Sequence, residues 1–300
     1  MYFPFLRGKQ YELTAIRELA PRIANNLFKP IIEPVRNNLL PLTKTIKNIN
    51  LHGFSPLIIV NPDLGDFKRE RKNLLQEINA LDGSLIFEPC LKINDNTDDS
   101  IIGSLKKPPS LFIPEILDES ADVYLNNYDH IIVPVDTPET EFTNLKKIII
   151  IDDPFQKKTR NADYKEKSNF SSLHTNFQTK ENVVGFSDYT IVGSEYSESG
   201  GPAFVVTIHL SYIDKKHNQM LVRHFSSPPS KSPANPGGKF HEALTKAIEF
   251  IEDNPGVFYK TQGIEELLKL YKNEHFPGLG LLKKISIQHH IETLCIYLDK

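Results

Sequence analysis

Lys147–Phe155, KIIIIDDPF, sets four isoleucines in a row and closes them with two aspartates and a proline. A strand with no polar face must be covered on both sides, as in a parallel sheet flanked by helices. Stretches of the same design recur along the chain. They are YFPFLRGK from Tyr2, KPIIEPV from Lys29, SPLIIVNPD from Ser55, SLIFEPCLK from Ser84, SLFIPEI from Ser110, HIIVPVD from His130 and VVGFSDYTIV from Val183. Most carry a proline, a carboxylate or both at the end of the apolar run, where a missing backbone N–H is tolerated.

Helical patterns separate these runs. YELTAIRELAPRIANN places Leu13, Ile16, Leu19 and Ile23 on one face, with Pro21 as a kink or break. DFKRERKNLLQEINALDG offers Asp66 as an N-cap, a stripe of Leu74, Leu75, Ile78 and Leu81, and Gly83 as a stop. LDESADVYLNN and TPETEFTNLKK are shorter, with Asp118 and Thr137 as caps. Strands alternating with helices give βαβ units, and right-handed crossovers lead to an open doubly wound sheet or a closed barrel. Eight runs, with no glycine-rich phosphate fingerprint after the first, favour an α/β fold of the TIM type, a (β/α)8 barrel over residues 1–195.

Beyond that point AFVVTIHLSYID and QMLVRHFSS alternate as an antiparallel hairpin turning at Lys215–Asn218, followed by the Ser- and Pro-rich SSPPSKSPANPGG. Residues 196–238 therefore read as an inserted β-hairpin and a flexible loop. GKFHEALTKAIEFIEDNPG then carries an apolar face of Phe240, Leu244, Ala247, Ile248 and Ile251 and reads as the eighth barrel helix, so residues 239–300 form C-terminal helices closing the same domain.

The chain has 300 residues, a net charge of −3 and 18 Phe with 11 Tyr, enough apolar material for a core and no basic excess of the kind nucleic-acid binders show. Its two cysteines, Cys90 and Cys295, are far apart, which argues against a disulfide scaffold or a cysteine zinc site. No signal-peptide pattern or membrane-length apolar stretch is present, so a cytoplasmic protein is expected.

A (β/α)8 barrel places its site at the C-terminal strand ends. Those ends should supply Arg7, Lys9, Glu12, Glu33, Asp63, Glu88, Glu115, Asp136, Asp152, Asp153 and Asp188. A ring of acids needs compensation, which leaves three readings: a divalent metal, a cationic ligand, or internal salt bridges to Arg7 and Lys9. Each acid also has a plainer role. Glu33, Glu88 and Glu115 can cap the following helices, Asp66, Asp118 and Asp163 read as caps, and Lys9 with Glu12 can be a surface i,i+3 pair. His209, Arg223–His224 and His289–His290 read as structural. No HxH, HExxH, GxSxG, P-loop or GxGxxG pattern occurs.

Phe3–Pro4–Phe5–Leu6, Arg7, Lys9, Glu12, Ala15 and Arg17, followed by IIEPV, FSDY and GGKFHEAL, resemble the so-called beta-protein family of bacteria and phages. Some members occur near phage-defence genes, so the resemblance implies a defence role without a mechanism. Two functions follow as expectations. In the first, Arg7, Lys9 and Glu12 bind a phosphate-containing nucleotide or phosphodiester, and Glu33, Glu88, Glu115, Asp136 or Asp188 hold Mg²⁺ or Mn²⁺ or act as general acid and base in hydrolysis. In the second, a non-catalytic module binds a partner nuclease or toxin encoded by a neighbouring gene, with the ring closed by internal ion pairs.

Overall fold

The computed structural model describes residues 1–69, 72–94, 97, 100–103, 105, 107–115, 125–198 and 200–300. Strands β1 (Tyr2–Leu6), β2 (Ile31–Ile32), β3 (Leu57–Ile59), β4 (Glu88–Lys92), β5 (Ser110–Phe112), β6 (Ile131–Pro134) and β7 (Ile148–Asp152) pair in parallel in chain order. β8 (Lys167–Asn169) leaves the series, and β9 (Val183–Asp188) returns to pair with β7 and β1. The result is a closed, eight-stranded parallel barrel of the TIM type, as the repeated apolar runs predict.

The isoleucine run shows why these strands carry no polar face. Side chains alternate across a strand, so Ile149 and Ile151 join Phe3, Phe5, Ile31, Leu57, Ile59, Cys90, Phe112 and Ile132 in the interior cluster. Ile148 and Ile150 point the other way and are equally buried. Gly185 of β9 is part of the same packing. A Cβ there would lie 2.4 Å from the Phe3 ring and 2.5 Å from the Met1 carbonyl, so only glycine leaves room for that ring.

Helices α1 (Gln10–Leu19), α2 (Leu40–Asn50) and α3 (Leu74–Leu81) and the single turns α4 (Ser100–Gly103) and α5 (Glu139–Phe142) join the strands. α1 ends before Pro21, which has no N–H to donate to the helical ladder. The start of α3 differs from expectation. Asn73, not Asp66, is its N-cap, accepting from the Leu75 amide at 3.1 Å, and Gly65–Lys68 forms a separate 3-10 turn. Asp118 lies outside the described residues.

The chain divides into two compact units, residues 1–152 with 176–189 and residues 153–175 with 190–300. The first is the barrel. In the second, β10 (Thr207–Asp214) and β11 (Gln219–Ser226) form the hairpin, and β8 adds to it in the order β10-β11-β8; the one-turn α6 (Leu173–Asn176) follows β8. Residues 239–300, expected to close the barrel, instead belong to this second unit as α7 (Pro236–Asp253), α8 (Gln262–Lys272) and α9 (Leu279–Leu298). The stripe that suggested a barrel helix, Phe240, Leu244, Ala247 and Ile248, packs on Val206, Ile208 and Phe225 of the hairpin region. A helix with one apolar face satisfies either partner equally well, which is why the pattern alone misassigns it. α9 is buried almost all round, and its two histidines are paired: His289 contacts Thr261 Oγ1 and the Ser211 carbonyl, both at 2.7 Å, and His290 contacts Ser211 Oγ at 2.7 Å.

Candidate functional site: a charge chain at the strand ends

The site starts from the turn after β1. Gly8 has φ +63°, a left-handed conformation, and a Cβ on it would approach the Glu33 carbonyl to 3.3 Å. The Glu12 carboxylate of α1 holds this turn, accepting from the Arg7 amide at 2.7 Å and the Lys9 amide at 3.3 Å. Glu12 is therefore a buried cap rather than an exposed partner of Lys9. With the turn fixed, the Arg7 guanidinium lies 5.0 Å from the Phe5 ring centre and 5.2 Å from that of Tyr189, and it bonds Glu33 just after β2.

Glu33 is fully buried and is the centre of a chain of alternating charge. One carboxylate oxygen takes Arg7; the other takes Lys92 Nζ at 3.3 Å. Lys92, at the C-terminal end of β4, also reaches Asp63 at 2.6 Å, and Asn94 donates to the second Asp63 oxygen at 3.3 Å. Asn61 secures the Lys92 backbone on both sides, accepting its N–H at 2.9 Å and donating to its carbonyl at 2.8 Å. Arg7, Glu33, Lys92 and Asp63 thus join β1, β2, β3 and β4 at the ligand end of the barrel, and the chain is balanced in charge.

The other expected acids do not form one ring. Glu88 is displaced to the opposite end, because β4 runs from Glu88 to Lys92 rather than ending at Glu88. Asn50 explains the shift. Its side chain accepts the Ile86 N–H at 2.9 Å and donates to the Ile86 carbonyl at 2.7 Å, holding SLIF outside the ladder. Asp188 is at the correct end but faces outward: it pairs in register with Pro4, which lies between the interior residues Phe3 and Phe5, and it accepts from Tyr2 Oη at 2.7 Å. Glu115 and Asp136 follow β5 and β6 and are exposed. Asp153 accepts from the Ser194 amide at 2.9 Å and Oγ at 2.5 Å within the second unit.

At the N-terminal strand ends Glu88 joins a second charge knot. Lys29 Nζ meets Glu88 at 2.5 Å and Lys147 Nζ meets Asp129 at 2.5 Å, with His130 Nδ1 3.1 Å from Asp129. Among the described residues, Glu88, Asp129 and His130 are the one set with donor atoms close enough to hold a metal ion. Burial pushes the His130 imidazole down, opposed by Asp129, so it is neutral at pH 7. Burial would raise Asp129, but the bond from Lys147 together with the electrostatic pull of His130, Lys147 and Lys29 outweighs it and holds the carboxyl below its ordinary value. Two lysines already compensate these acids, and this end of a barrel serves stability. Burial also pushes the Cys90 thiol far up, so the interior cysteine is no nucleophile.

No family model, no curated protein and no solved structure matches the chain. Among the described residues, no helix is long and apolar enough to cross a membrane.

Proposed function

We propose that the barrel mouth binds a small phosphate-bearing ligand of the nucleotide or phosphodiester type, with Arg7 and Lys92 as its anion contacts and Glu33 as the group that orients both. The observation that carries this reading is the complete burial of Glu33 between two cations at the C-terminal strand ends. Apolar residues in such a place would give equal or better stability, so a chain of buried charges is better explained by ligand recognition. Arg7 lies over two aromatic rings, which restrict it, and its guanidinium offers a planar donor pair suited to phosphate oxygens. Lys92 beside Glu33 also supplies a proton donor and acceptor in contact, the minimum for acid–base hydrolysis. The balanced charge favours a bound anion that borrows Arg7 and Lys92 over a Mg²⁺ or Mn²⁺ ion held by free acids.

The test is calorimetry of the intact chain with inorganic phosphate, a nucleoside monophosphate and a dinucleotide, with and without Mg²⁺. Saturable binding lost in Lys92→Met supports the reading; no binding of any of the three refutes it.

A second reading has one observation in its favour. The mouth carboxylates Glu33 and Asp63 are engaged by internal ion pairs, as a non-catalytic antiphage module would have it. That reading rests on the family resemblance, with a nuclease or toxin from a neighbouring gene as the partner. Phage plaque counts with wild type and with the ligand-site variant Lys92→Met separate the two, since a module that uses only its surface keeps protection.

A further inference from the structure

The three-stranded sheet of the second unit carries an arrangement that the barrel reading does not use. His209 of β10 is directly opposite His224 of β11, and Ser168 of β8 is its diagonal neighbour, so the three side chains share one face. Ser168 Oγ lies 2.8 Å from His224 Nε2, and His224 Nδ1 lies 2.7 Å from His209 Nδ1. A neutral imidazole has one N–H, so these two contacts determine each other. When His224 Nδ1–H donates to His209, His224 Nε2 is bare and accepts the serine proton. That polarity is the one a nucleophile, its base and an orienting group require.

The surroundings support it. The Tyr164 ring stacks on His224 at 4.8 Å and 25°, and Phe155 meets His209 edge-on at 5.1 Å, which fixes both imidazole planes. Burial, with Arg223 and Lys158 adding to it, pushes His224 down to about 4, and loss of water, with His224 and Lys283 adding, pushes His209 well below its ordinary value. Both rings are therefore neutral at pH 7. His224 also lines a groove of about 390 Å³, whose walls mix Phe225 and Phe250 with Arg223, Lys246, Glu249 and Asp253. Ser168 is half-buried, and β8 is an edge strand of this sheet. The Lys167 and Asn169 N–H groups alternate with that of Ser168 and face away from β11 along the edge of the sheet, so a developing oxyanion can meet one of them but not both.

We propose that Ser168 and His224 are a catalytic nucleophile and base acting on a carboxylic ester, and that His209 is their positioning residue. In the first step Ser168 Oγ bonds to the ester carbonyl carbon while its proton passes to His224 Nε2. The bond to the leaving alcohol then breaks, and the same proton goes to the departing oxygen. Water, deprotonated by His224, then bonds to the acyl carbon; the bond to Ser168 Oγ breaks, the proton passes from His224 to that oxygen, and the acid leaves.

The experiment is independent of the barrel mouth. The intact chain is treated with an alkyl fluorophosphonate probe and digested for peptide mass spectrometry, and p-nitrophenyl butyrate hydrolysis is followed in parallel. The expected result is one adduct, on Ser168, with hydrolysis lost in Ser168→Ala and slowed at least about 100-fold in His224→Gln. His209→Gln should retain the adduct, slow its formation, and move the pH profile of labelling, which a purely structural histidine would leave in place. The charged neighbours contributing to that profile are Arg223, Lys158 and Glu166 around His224 and Lys283 around His209. Absence of a Ser168 adduct in the wild-type chain overturns the proposal without reference to any variant. Hydrolysis that survives Ser168→Ala overturns it as well, and leaves a cross-strand polar pair.

Discussion

Removing Glu33 should destabilise the barrel far more than an ordinary mouth substitution. The carboxylate is completely buried, and its two partners, Arg7 and Lys92, are each only 12% exposed at the side chain. Glu33→Leu takes an acceptor from both cations: Lys92 keeps Asp63 at 2.6 Å, whereas Arg7 is left facing an apolar group with little water to replace the lost carboxylate. Breaking a buried pair in this way costs about 3–5 kcal/mol, most of it from the stranded charge rather than from the lost attraction. The same reasoning predicts a rescue. Arg7→Met and Lys92→Met added to Glu33→Leu remove both cations and should bring stability to within about 1–2 kcal/mol of wild type. Asp63 survives the rescue because it is 33% exposed and retains Asn94.

The chain has no tryptophan and two compact units, so a single spectroscopic melt would mix their transitions. Native-state hydrogen exchange read by mass spectrometry on β1, β2 and β4 reports the barrel alone. Protection should fall in Glu33→Leu, return in the triple variant, and phosphate binding should be absent in both. Equal protection in Glu33→Leu and wild type would show that the carboxylate is not buried between cations. A triple variant as weak as the single one would show that volume, not charge, dominates.

Three further outcomes follow from the packing. His224 and His289 are held by burial at about 4 against an ordinary 6.5, so the unfolded chain binds more protons below pH 6.5; stability is complete above that value and falls as the pH drops toward 4, by up to about 3 kcal/mol per histidine. A melting temperature that stays level between pH 7.5 and 5 would contradict this. Gly185→Ala puts a methyl 2.4 Å from the Phe3 ring and should cost about 1–3 kcal/mol by denaturant titration. Lys239, buried at the start of α7, donates to the carbonyls of Ala203 at 2.8 Å and Ser232 at 2.5 Å, so Lys239→Met should speed limited proteolysis between residues 228 and 235 several-fold; unchanged cleavage would show that the loop is held by other contacts.

The barrel was legible because its signal is redundant. KIIIIDDPF, HIIVPVD and KPIIEPV each state that a strand is buried on both faces, and a misplaced boundary in one does not disturb the count. Boundaries were less legible where a side chain elsewhere decides them. SLIFEPCLK contains two candidate strands, SLIF the more apolar of them, and the choice falls to Asn50, which is remote in sequence and claims the Ile86 backbone for itself. The four-residue displacement carries Glu88 from one end of the barrel to the other and brings Lys92 to the mouth in its place. The division of the chain was hidden for a related reason: α7 has an apolar face, but no residue on it names the sheet it covers.

The candidate site was only half legible, and the missing half was the cations. Reading acids off strand ends found Glu33 and Asp63 and suggested a surplus of negative charge. Lys92 cancels that surplus, and it was missed as the last letter of a strand whose register had slipped. A ring of free acids calls for a metal; a closed chain of Arg7, Glu33, Lys92 and Asp63 calls for a ligand that competes for its cations. An anion entering the mouth must take Arg7 or Lys92 from Glu33 without leaving that carboxylate buried and alone. A neutral amide in place of the carboxylate meets the requirement, because it needs no cation and can donate to a phosphate oxygen. Glu33→Gln should then bind phosphate at least as tightly as the wild type, and calorimetry measures it directly. Weaker binding in Glu33→Gln would mean that the charged carboxylate must retain one of its cations in the complex, and that only the other faces the ligand.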